Sequence, residues 1–310
     1  MGVKHPVFDA EQQPVTSYTP AMPLEPAAPL AAPPPGLPPG PLVRVYEDAQ
    51  LLAVNKPAGL LVHRTALDAA DLDDVVTRLR AQTGTPVWPL HRLDKGSSGV
   101  LLLARDVASA RRLGAVFAAG AAGEAGEAGK ACQAGQSGPR IDKRYLALVR
   151  GWPAEAGEID QPLARDPELP STGQPQLAAV TRWQVLQRLL LPLATGGRHA
   201  DTRLALVAVQ PLSGRRHQIR RHFKALAHPL IGDATHGKGP LNRAIAAFVG
   251  YQRLWLHALE LTVPHPATGQ PLHLRAEPGP EWQRWAVWAE PAALTGLDDP
   301  PGADQPKRNE

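Results

Sequence analysis

The sequence predicts an α+β domain with a mixed, largely antiparallel sheet as its core and helices at its flanks. Apolar strand-like segments recur from residue 42 to residue 263, and several follow one another without an intervening helix. Polar turns separate the first of these segments. No series of alternating strands and helices with a glycine-rich phosphate loop occurs, which argues against a doubly wound parallel sheet.

Seven segments are predicted to be strands by their apolar and β-branched residues. They are Val43–Tyr46, Leu51–Val54, Gly99–Ala104, Lys143–Arg150, Ala178–Gln187, Thr202–Gln210 and Leu254–Val263. The unbroken apolar run of Gly99–Ala104 is typical of a strand that is buried on both faces.

Four segments are predicted to be helices. Asp71 and Asp106 are the expected N-caps of the first two, which should run to Gln82 and to about Ala119. The other two are Gly214–Ala227 and a short C-terminal helix, Trp282–Ala289.

The predicted domain occupies residues 42–290. Residues 1–41 are rich in proline and alanine and are expected to be disordered. Residues 120–140 are a Gly/Ala-rich flexible insertion, and residues 291–310 are a polar tail.

The composition favours a cytoplasmic protein. The only cysteine, Cys132, has no partner for an intramolecular disulfide, and no apolar run is long enough to span a bilayer. The histidines lack metal-ligand spacing, so neither a metal nor a cofactor is expected. We expect a monomer without an obligatory protein partner, because no exposed apolar helix face is evident.

Asp94 is the candidate catalytic carboxylate. It ends the run His91-Arg92-Leu93-Asp94 and precedes a turn of small residues, Gly96 to Gly99, which should let a substrate approach closely. A surface ion pair is the alternative interpretation of such a run on its own.

A basic run at residues 213–224 indicates a polyanionic partner. On a helix, Arg216, Arg220 and Lys224 would share one face at spacings of four residues. Like charges in such a stripe repel one another, and phosphates of RNA or DNA would relieve that repulsion. A solvated helix face is the alternative.

Four blocks together resemble the RluA-type pseudouridine synthases. They are Leu52–Gly59, His91–Asp94 with Ser97–Gly99, Lys143–Gly151, and Gly214–His222 with His228–Asp233. The residues Val62–Arg64, Gln174–Gln176, Ala194–Arg198 and Asp233–Gly237 resemble the branch of that family that modifies uridine 65 of tRNA. Gly96-Ser97 departs from the family's more usual Pro-Thr.

The resemblance implies an RNA uridine-to-pseudouridine isomerase that needs no cofactor. It implies Asp94 as the catalytic carboxylate, Arg220 as its counter-ion, and Tyr145 as a ring that stacks on the uracil. The implied base pocket contains Arg92, which would fill the gap left by the flipped base, with Ile219, His91 and Leu93. The expected RNA contacts are Arg215, Arg216, Arg221, Lys224, Lys56 and Arg64.

Three alternatives remain open from the sequence. The target could be a uridine of ribosomal RNA, the fold could serve as a non-catalytic RNA-binding module, or the basic helix could read DNA. The N-terminal 41 residues are too short and too proline-rich for the extra RNA-binding domain of many rRNA-acting relatives, which favours tRNA. The absence of a helix-turn-helix pattern disfavours DNA.

Overall fold

The computed structural model describes residues 22–23, 40–64, 73–122, 141–195 and 200–285. Its strands are β1 Met22–Pro23, β2 Val43–Glu47, β3 Leu51–Lys56, β4 Trp88–Pro89, β5 Ser98–Ala104, β6 Asp142–Arg150, β7 Ala156–Asp160, β8 Leu163–Ala164, β9 Gln176–Leu177, β10 Val180–Leu191, β11 Thr202–Pro211, β12 Leu256–Pro264 and β13 Pro271–Arg275. Its helices are α1 Val75–Thr83, α2 Val107–Ala122, α3 Gln218–Ala225 and α4 Gly239–Val249, followed by a 3-10 helix, Pro280–Trp285.

Eleven strands form one sheet, ordered β1-β10-β11-β6-β12-β5-β3-β2, with β13 beside β12, β4 beside β5 and β7 beside β10. Only β1 with β10 and β5 with β12 run parallel within the described sheet. The predicted mixed, largely antiparallel core is therefore confirmed. All seven predicted strands are present within a few residues of their expected ends.

Helix α1 begins later than predicted. Its N-cap is Asp74, whose Oδ1 accepts a hydrogen bond of 2.9 Å from the Thr77 N–H, and Asp71 lies outside the described residues. The Val75 N–H donates to the Leu61 carbonyl, which fixes the entry to the helix against the preceding loop. The helix ends at Gly84 in the left-handed conformation, as its position predicts.

Helix α3 is shorter than the predicted Gly214–Ala227. The Gln218 side chain accepts hydrogen bonds from the Ser213 hydroxyl and the Arg215 N–H, at 2.8 and 3.0 Å, and so folds the chain before it into a turn. His217 is left-handed, with φ 54°, and helical geometry starts only after it. The prediction for the first turn was wrong because left-handed His217 interrupts helical geometry and the Gln218 side chain holds the Arg215 N–H in a turn.

Other predictions differ at the ends of the chain. The C-terminal helix is a 3-10 helix that starts at Pro280, and residues 286–289 of the predicted helix lie outside the described ranges. The expected tails fall almost entirely on residues that are not described. Helix α4 and the short strands β1, β4, β7, β8, β9 and β13 were not predicted, and β1 lies within the segment that was expected to be disordered.

Two faces of the sheet carry separate apolar clusters, because side chains alternate along each strand. Leu101 and Leu103 of β5 face α1, whereas Leu102 faces a cluster that includes Phe117 of α2. Tyr145 of β6 contacts the α1-side cluster and also the cluster that holds Ile219 and Phe223 of α3. The boundary between these two clusters is where the candidate site lies. In the described ranges no helix is long and apolar enough to cross a membrane.

Candidate active site

Asp94 lies on a turn between buried Leu93 and strand β5. The turn is closed by a hydrogen bond of 3.0 Å from the Ser97 N–H to the Asp94 carbonyl. The carboxylate is one-quarter exposed, so a substrate can reach it. The turn therefore presents one carboxylate at the edge of a rigid, buried strand.

The small residues after Asp94 pack against the protein, which corrects the expectation that they open the turn to a substrate. A Cβ at Gly96 would lie 3.0 Å from the Leu254 Cβ, and a Cβ at Gly99 would overlap the Ala258 carbonyl oxygen of β12. Gly99 also has a φ of +113°, which disfavours any residue with a side chain. Ser98 is buried and its hydroxyl lies 2.8 Å from His257 Nδ1.

Arg220 of α3 binds the Asp94 carboxylate, as the resemblance implied. Its Nη1 donates a hydrogen bond of 2.8 Å to Asp94 Oδ2. Its Nε and Nη2 donate to the two oxygens of Asp233, at 2.7 and 2.8 Å, in a bidentate pair. The guanidinium is only 8% exposed, so this geometry holds it in one orientation towards Asp94.

Asp233 is a site residue that was not predicted from the sequence, although it is the last residue of the fourth motif block. Its side chain is fully buried, and Oδ1 also accepts hydrogen bonds from the Thr235 and His236 N–H groups. Burial alone would raise its pKa, but the hydrogen bonds from Arg220 and from the His236 backbone lower the pKa below its usual value. Asp233 is thus an ionised anchor for Arg220 at neutral pH.

Tyr145 lies beside this ion pair. Its backbone is fixed between β11 and β12, opposite Val209 and Ala258. Burial, and then the negative charge of Asp94, raise the pKa of its phenol well above the usual value. The phenol is therefore neutral at physiological pH, which suits a stacking ring better than a phenolate base.

The expected base-pocket residues divide into two groups. Ile219 and Leu93 are buried, 6% and 7% exposed, in the two clusters that Tyr145 joins, and Arg92 is exposed on the turn. His91 points elsewhere: its Nε2 accepts a 3.0 Å hydrogen bond from the Leu102 N–H, and its ring stacks on Phe117 of α2. The expectation that His91 lines the pocket was wrong because its ring serves the opposite side of the sheet.

The predicted stripe of Arg216, Arg220 and Lys224 is not a common solvated face. Arg216 precedes α3 and pairs with Asp166 and Glu168, Arg220 is buried, and Lys224 is exposed. The stripe fails because α3 begins after Arg216 and packs its Arg220 face against the site.

The remaining expected RNA contacts are partly engaged with the protein itself. Arg215 and Arg221 each donate a 2.9 Å hydrogen bond to a backbone carbonyl, that of Ala178 and that of Ala164. Arg64 is about half exposed and lies 3.3 Å from Asp74. All three remain partly accessible at the surface.

Lys56 does not present its charge at the surface, which corrects its expected role as an RNA contact. The side chain is fully buried, and Nζ donates to the carbonyls of Pro57, Leu60 and Lys95 at 3.0, 2.7 and 3.2 Å. Burial lowers its pKa to about 7, against the opposing attraction of Asp94. Lys56 therefore ties the end of β3 to the turn that carries Asp94. Among the described residues, no three His, Cys, Asp or Glu side chains group to hold a metal ion.

Comparisons with known proteins identify the family of the chain. The family described as RNA pseudouridylate synthase matches residues 50–225. The tRNA pseudouridine synthase C of Vibrio cholerae is 41% identical over 244 residues, which cover 77% of this chain and 92% of that protein. The protein of the same name from Haemophilus ducreyi is 40% identical over 243 residues, with the same coverage.

A solved structure shows the same fold. Human RNA pseudouridylate synthase domain containing 1 matches with a TM-score of 0.58 and 24% identity, over 86% of this chain and 100% of that one. The motif resemblance, the family match over more than half of the sequence and the relatives at about 40% identity lead to one conclusion. The chain belongs to the RNA pseudouridylate synthase family.

Proposed function

We propose that this protein converts a uridine of tRNA into pseudouridine, with Asp94 as the catalytic carboxylate and uridine 65 as the candidate position. The observation that carries the proposal is the partly exposed Asp94 carboxylate, which Arg220 holds beside Tyr145. The names of the similar proteins from V. cholerae and H. ducreyi support tRNA over rRNA.

The reaction is an isomerisation that breaks the N1–C1′ bond and forms a C5–C1′ bond, while the C5 proton is lost and N1 gains one. A carboxylate can start it as a nucleophile at the sugar or as a base that takes a ribose proton. Both roles require the ionised form. The Arg220 guanidinium donates a hydrogen bond of 2.8 Å to Asp94 Oδ2 and orients the carboxylate.

We expect the side chains around Asp94 to form a pocket for a planar base. Tyr145 offers its ring for stacking, and Ile219 and Leu93 supply apolar walls beside it. A base in a stem must leave the helical stack to reach this pocket, at a cost of a few kcal/mol. Exposed Arg92, two residues before Asp94, would occupy the space that the base vacates.

Recognition of the RNA would rest on backbone contacts. A-form RNA conceals the base edges of its major groove, so a protein reads shape, phosphates and 2′-hydroxyls. Lys224 at the end of α3 and the partly exposed Arg216 and Arg221 lie on the helix that also holds Arg220, or directly before it. We expect the protein to act in the cytoplasm as a monomer.

A tritium-release assay tests the proposal. The purified protein is incubated with tRNA transcripts that carry [5-³H]uridine, and with rRNA transcripts labelled in the same way. We expect tritium release from tRNA alone, and a pseudouridine at position 65 when the product is mapped. Release from rRNA alone would replace tRNA with the rRNA alternative, and no release from either RNA would contradict the proposed activity.

Mapping in cells gives an independent test of the target. Pseudouridines in tRNA and rRNA are compared between cells that have the protein and cells that lack it. We expect one pseudouridine to disappear from tRNA and the rRNA pattern to be unchanged. A change confined to rRNA would overturn the choice of substrate.

A further inference from the structure

His217 faces the oxygen of Asp94 that Arg220 does not contact, and His236 contacts His217. His217 Nε2 is 3.7 Å from Asp94 Oδ1, and His217 Nδ1 is 3.1 Å from His236 Nε2. The two rings meet edge to face, with centroids 5.3 Å apart. Each oxygen of Asp94 therefore faces a different basic side chain, since Arg220 binds Oδ2.

The backbone at His217 is unusual. Its φ of 54° places a non-glycine residue in the left-handed region immediately before α3. The imidazole makes no capping hydrogen bond to the helix, although it occupies the N-cap position. A conformation that costs of order 1 kcal/mol or more is instead combined with a side chain that lies between His236 and Asp94.

The acceptor at one end fixes the hydrogens of the pair. A carboxylate only accepts, so a hydrogen bond from His217 to Asp94 requires the hydrogen on Nε2. In a neutral His217, Nδ1 is then bare and accepts the hydrogen of His236 Nε2. The backbone N–H of His236 donates 2.8 Å to Asp233 Oδ1, which places this ring relative to the Arg220 anchor.

The surrounding charges are compatible with two neutral rings. The pKa of His217 responds to the charges of Asp94, Asp233, Arg220 and Arg216. The pKa of His236 responds to the charges of Asp233, Arg220 and Lys224. Burial is the largest influence on both. It lowers the pKa of His217, and it lowers the pKa of His236 to about 4. Each ring therefore keeps one nitrogen free to accept at neutral pH.

We propose that His217 and His236 are positioning residues that orient Oδ1 of Asp94 through a directed pair of hydrogen bonds, His236 to His217 to Asp94. This inference rests on the proposed function of Asp94. Asp233 then supports both arms of the site, through Arg220 to Oδ2 and through His236 and His217 to Oδ1. The 3.7 Å gap is expected to close when RNA binds, since hydrogen bonds at active sites often shorten in the complex.

Two variants at position 236 separate positioning from packing. His236→Gln keeps a side-chain N–H that can donate to His217, whereas His236→Leu has a similar volume and no donor. At saturating tRNA, we expect the single-turnover rate of His236→Leu to fall by about 10-fold or more, with His236→Gln within about threefold of wild type. The Kd for tRNA should be unchanged in both. Exposed His273, on β13, provides the matched control His273→Leu, which should react at the wild-type rate.

Nitrogen NMR of histidine-labelled protein gives a readout that does not depend on activity. At pH 7 we expect His217 in the Nε2–H form in wild type and in His236→Gln, and a mixture of the two neutral forms in His236→Leu. An Nδ1–H form of His217 in wild type would overturn the inference, as would equal rates for His236→Gln and His236→Leu. If wild type were inactive on tRNA, the proposed function would fail, and the NMR spectra would still decide the hydrogen-bond direction.

Discussion

Two carboxylates share the Arg220 guanidinium, yet their surroundings give them different roles. Asp233 is fully buried. Its two oxygens accept hydrogen bonds from Arg220 and from two backbone N–H groups. Asp94 is one-quarter exposed and receives one hydrogen bond from Arg220. The carboxylate with remaining lone pairs and access to solvent is the one that can act on a substrate.

The role of a single residue was predictable where the local sequence reveals its chemistry. It was not predictable where the role depends on burial in the folded chain. The chain order alone placed Asp94 on a turn, and the resemblance supplied its pairing with Arg220. Lys56 was predicted to contact RNA because the sequence does not show that three backbone carbonyls accept from its ammonium group. Asp233 was missed as an anchor because only the folded chain brings it to Arg220.

Lys224 is the exposed basic residue of α3 that is expected to contact RNA. It is exposed at the end of the helix that carries Arg220, so Lys224→Ala should weaken tRNA binding by removing a phosphate contact. The slope of log Kd against log salt should decrease by about 1, as expected for one phosphate contact. The matched control is exposed Arg111 on α2, a helix that packs on the other face of β5 from α1. An unchanged slope for Lys224→Ala would remove this residue from the RNA surface.

At the scale of elements, the contact between β5 and β12 places the catalytic turn. These strands run parallel, and Gly99 pairs with Ala258 where no side chain fits. The apolar run of β5 predicted a buried strand correctly, but its neighbour could not be predicted because β12 is far away in the sequence. The two-residue strands were missed because such short elements depend on tertiary contacts rather than on periodicity. Helix α4 was missed although its buried residues Leu241, Ile245 and Val249 recur at helical spacing.

Gly99→Ala tests this contact. The added methyl group would overlap the Ala258 carbonyl and strain a backbone with φ +113°, so the free energy of unfolding should decrease by about 2 kcal/mol or more. Gly114→Ala, in α2 with open space around it, is the matched control and should stabilise the protein by about 0.5–1 kcal/mol. Urea denaturation measures both values. Equal stability of the two variants would mean that β12 is not packed against Gly99.

Across the whole molecule, three buried or partly buried histidines couple folding to pH. Burial lowers the pKa of His91 to about 3, and those of His236 and His257 to about 4. In the unfolded chain a histidine titrates near 6.5. Between pH 6.5 and about 4.5 the unfolded chain therefore binds protons that the folded protein does not. The contribution of these histidines to the free energy of unfolding is fully present above pH 6.5 and is lost as the pH falls.

The expected decrease is about 1.4 kcal/mol per pH unit for each such histidine. Urea denaturation at pH 7 and pH 5 measures it. His91→Gln keeps an acceptor for the Leu102 N–H and cannot titrate, so it should reduce the difference between the two pH values by about 2 kcal/mol. His273→Gln, at an exposed position, should leave the difference unchanged. Equal wild-type stability at pH 5 and pH 7 would contradict the buried, neutral state of these rings.

Asp94→Asn tests whether Asp94 is the carboxylate that isomerises uridine. The amide has nearly the same shape and can still accept from Arg220, so folding and the Kd for tRNA should remain near wild type. Asp73→Asn, which alters a surface pair with Arg78, is the matched control and should be fully active. We predict no tritium release above the protein-free background from [5-³H]uridine tRNA bound to Asp94→Asn. Pseudouridine formation by that variant at a rate near wild type would contradict the assignment.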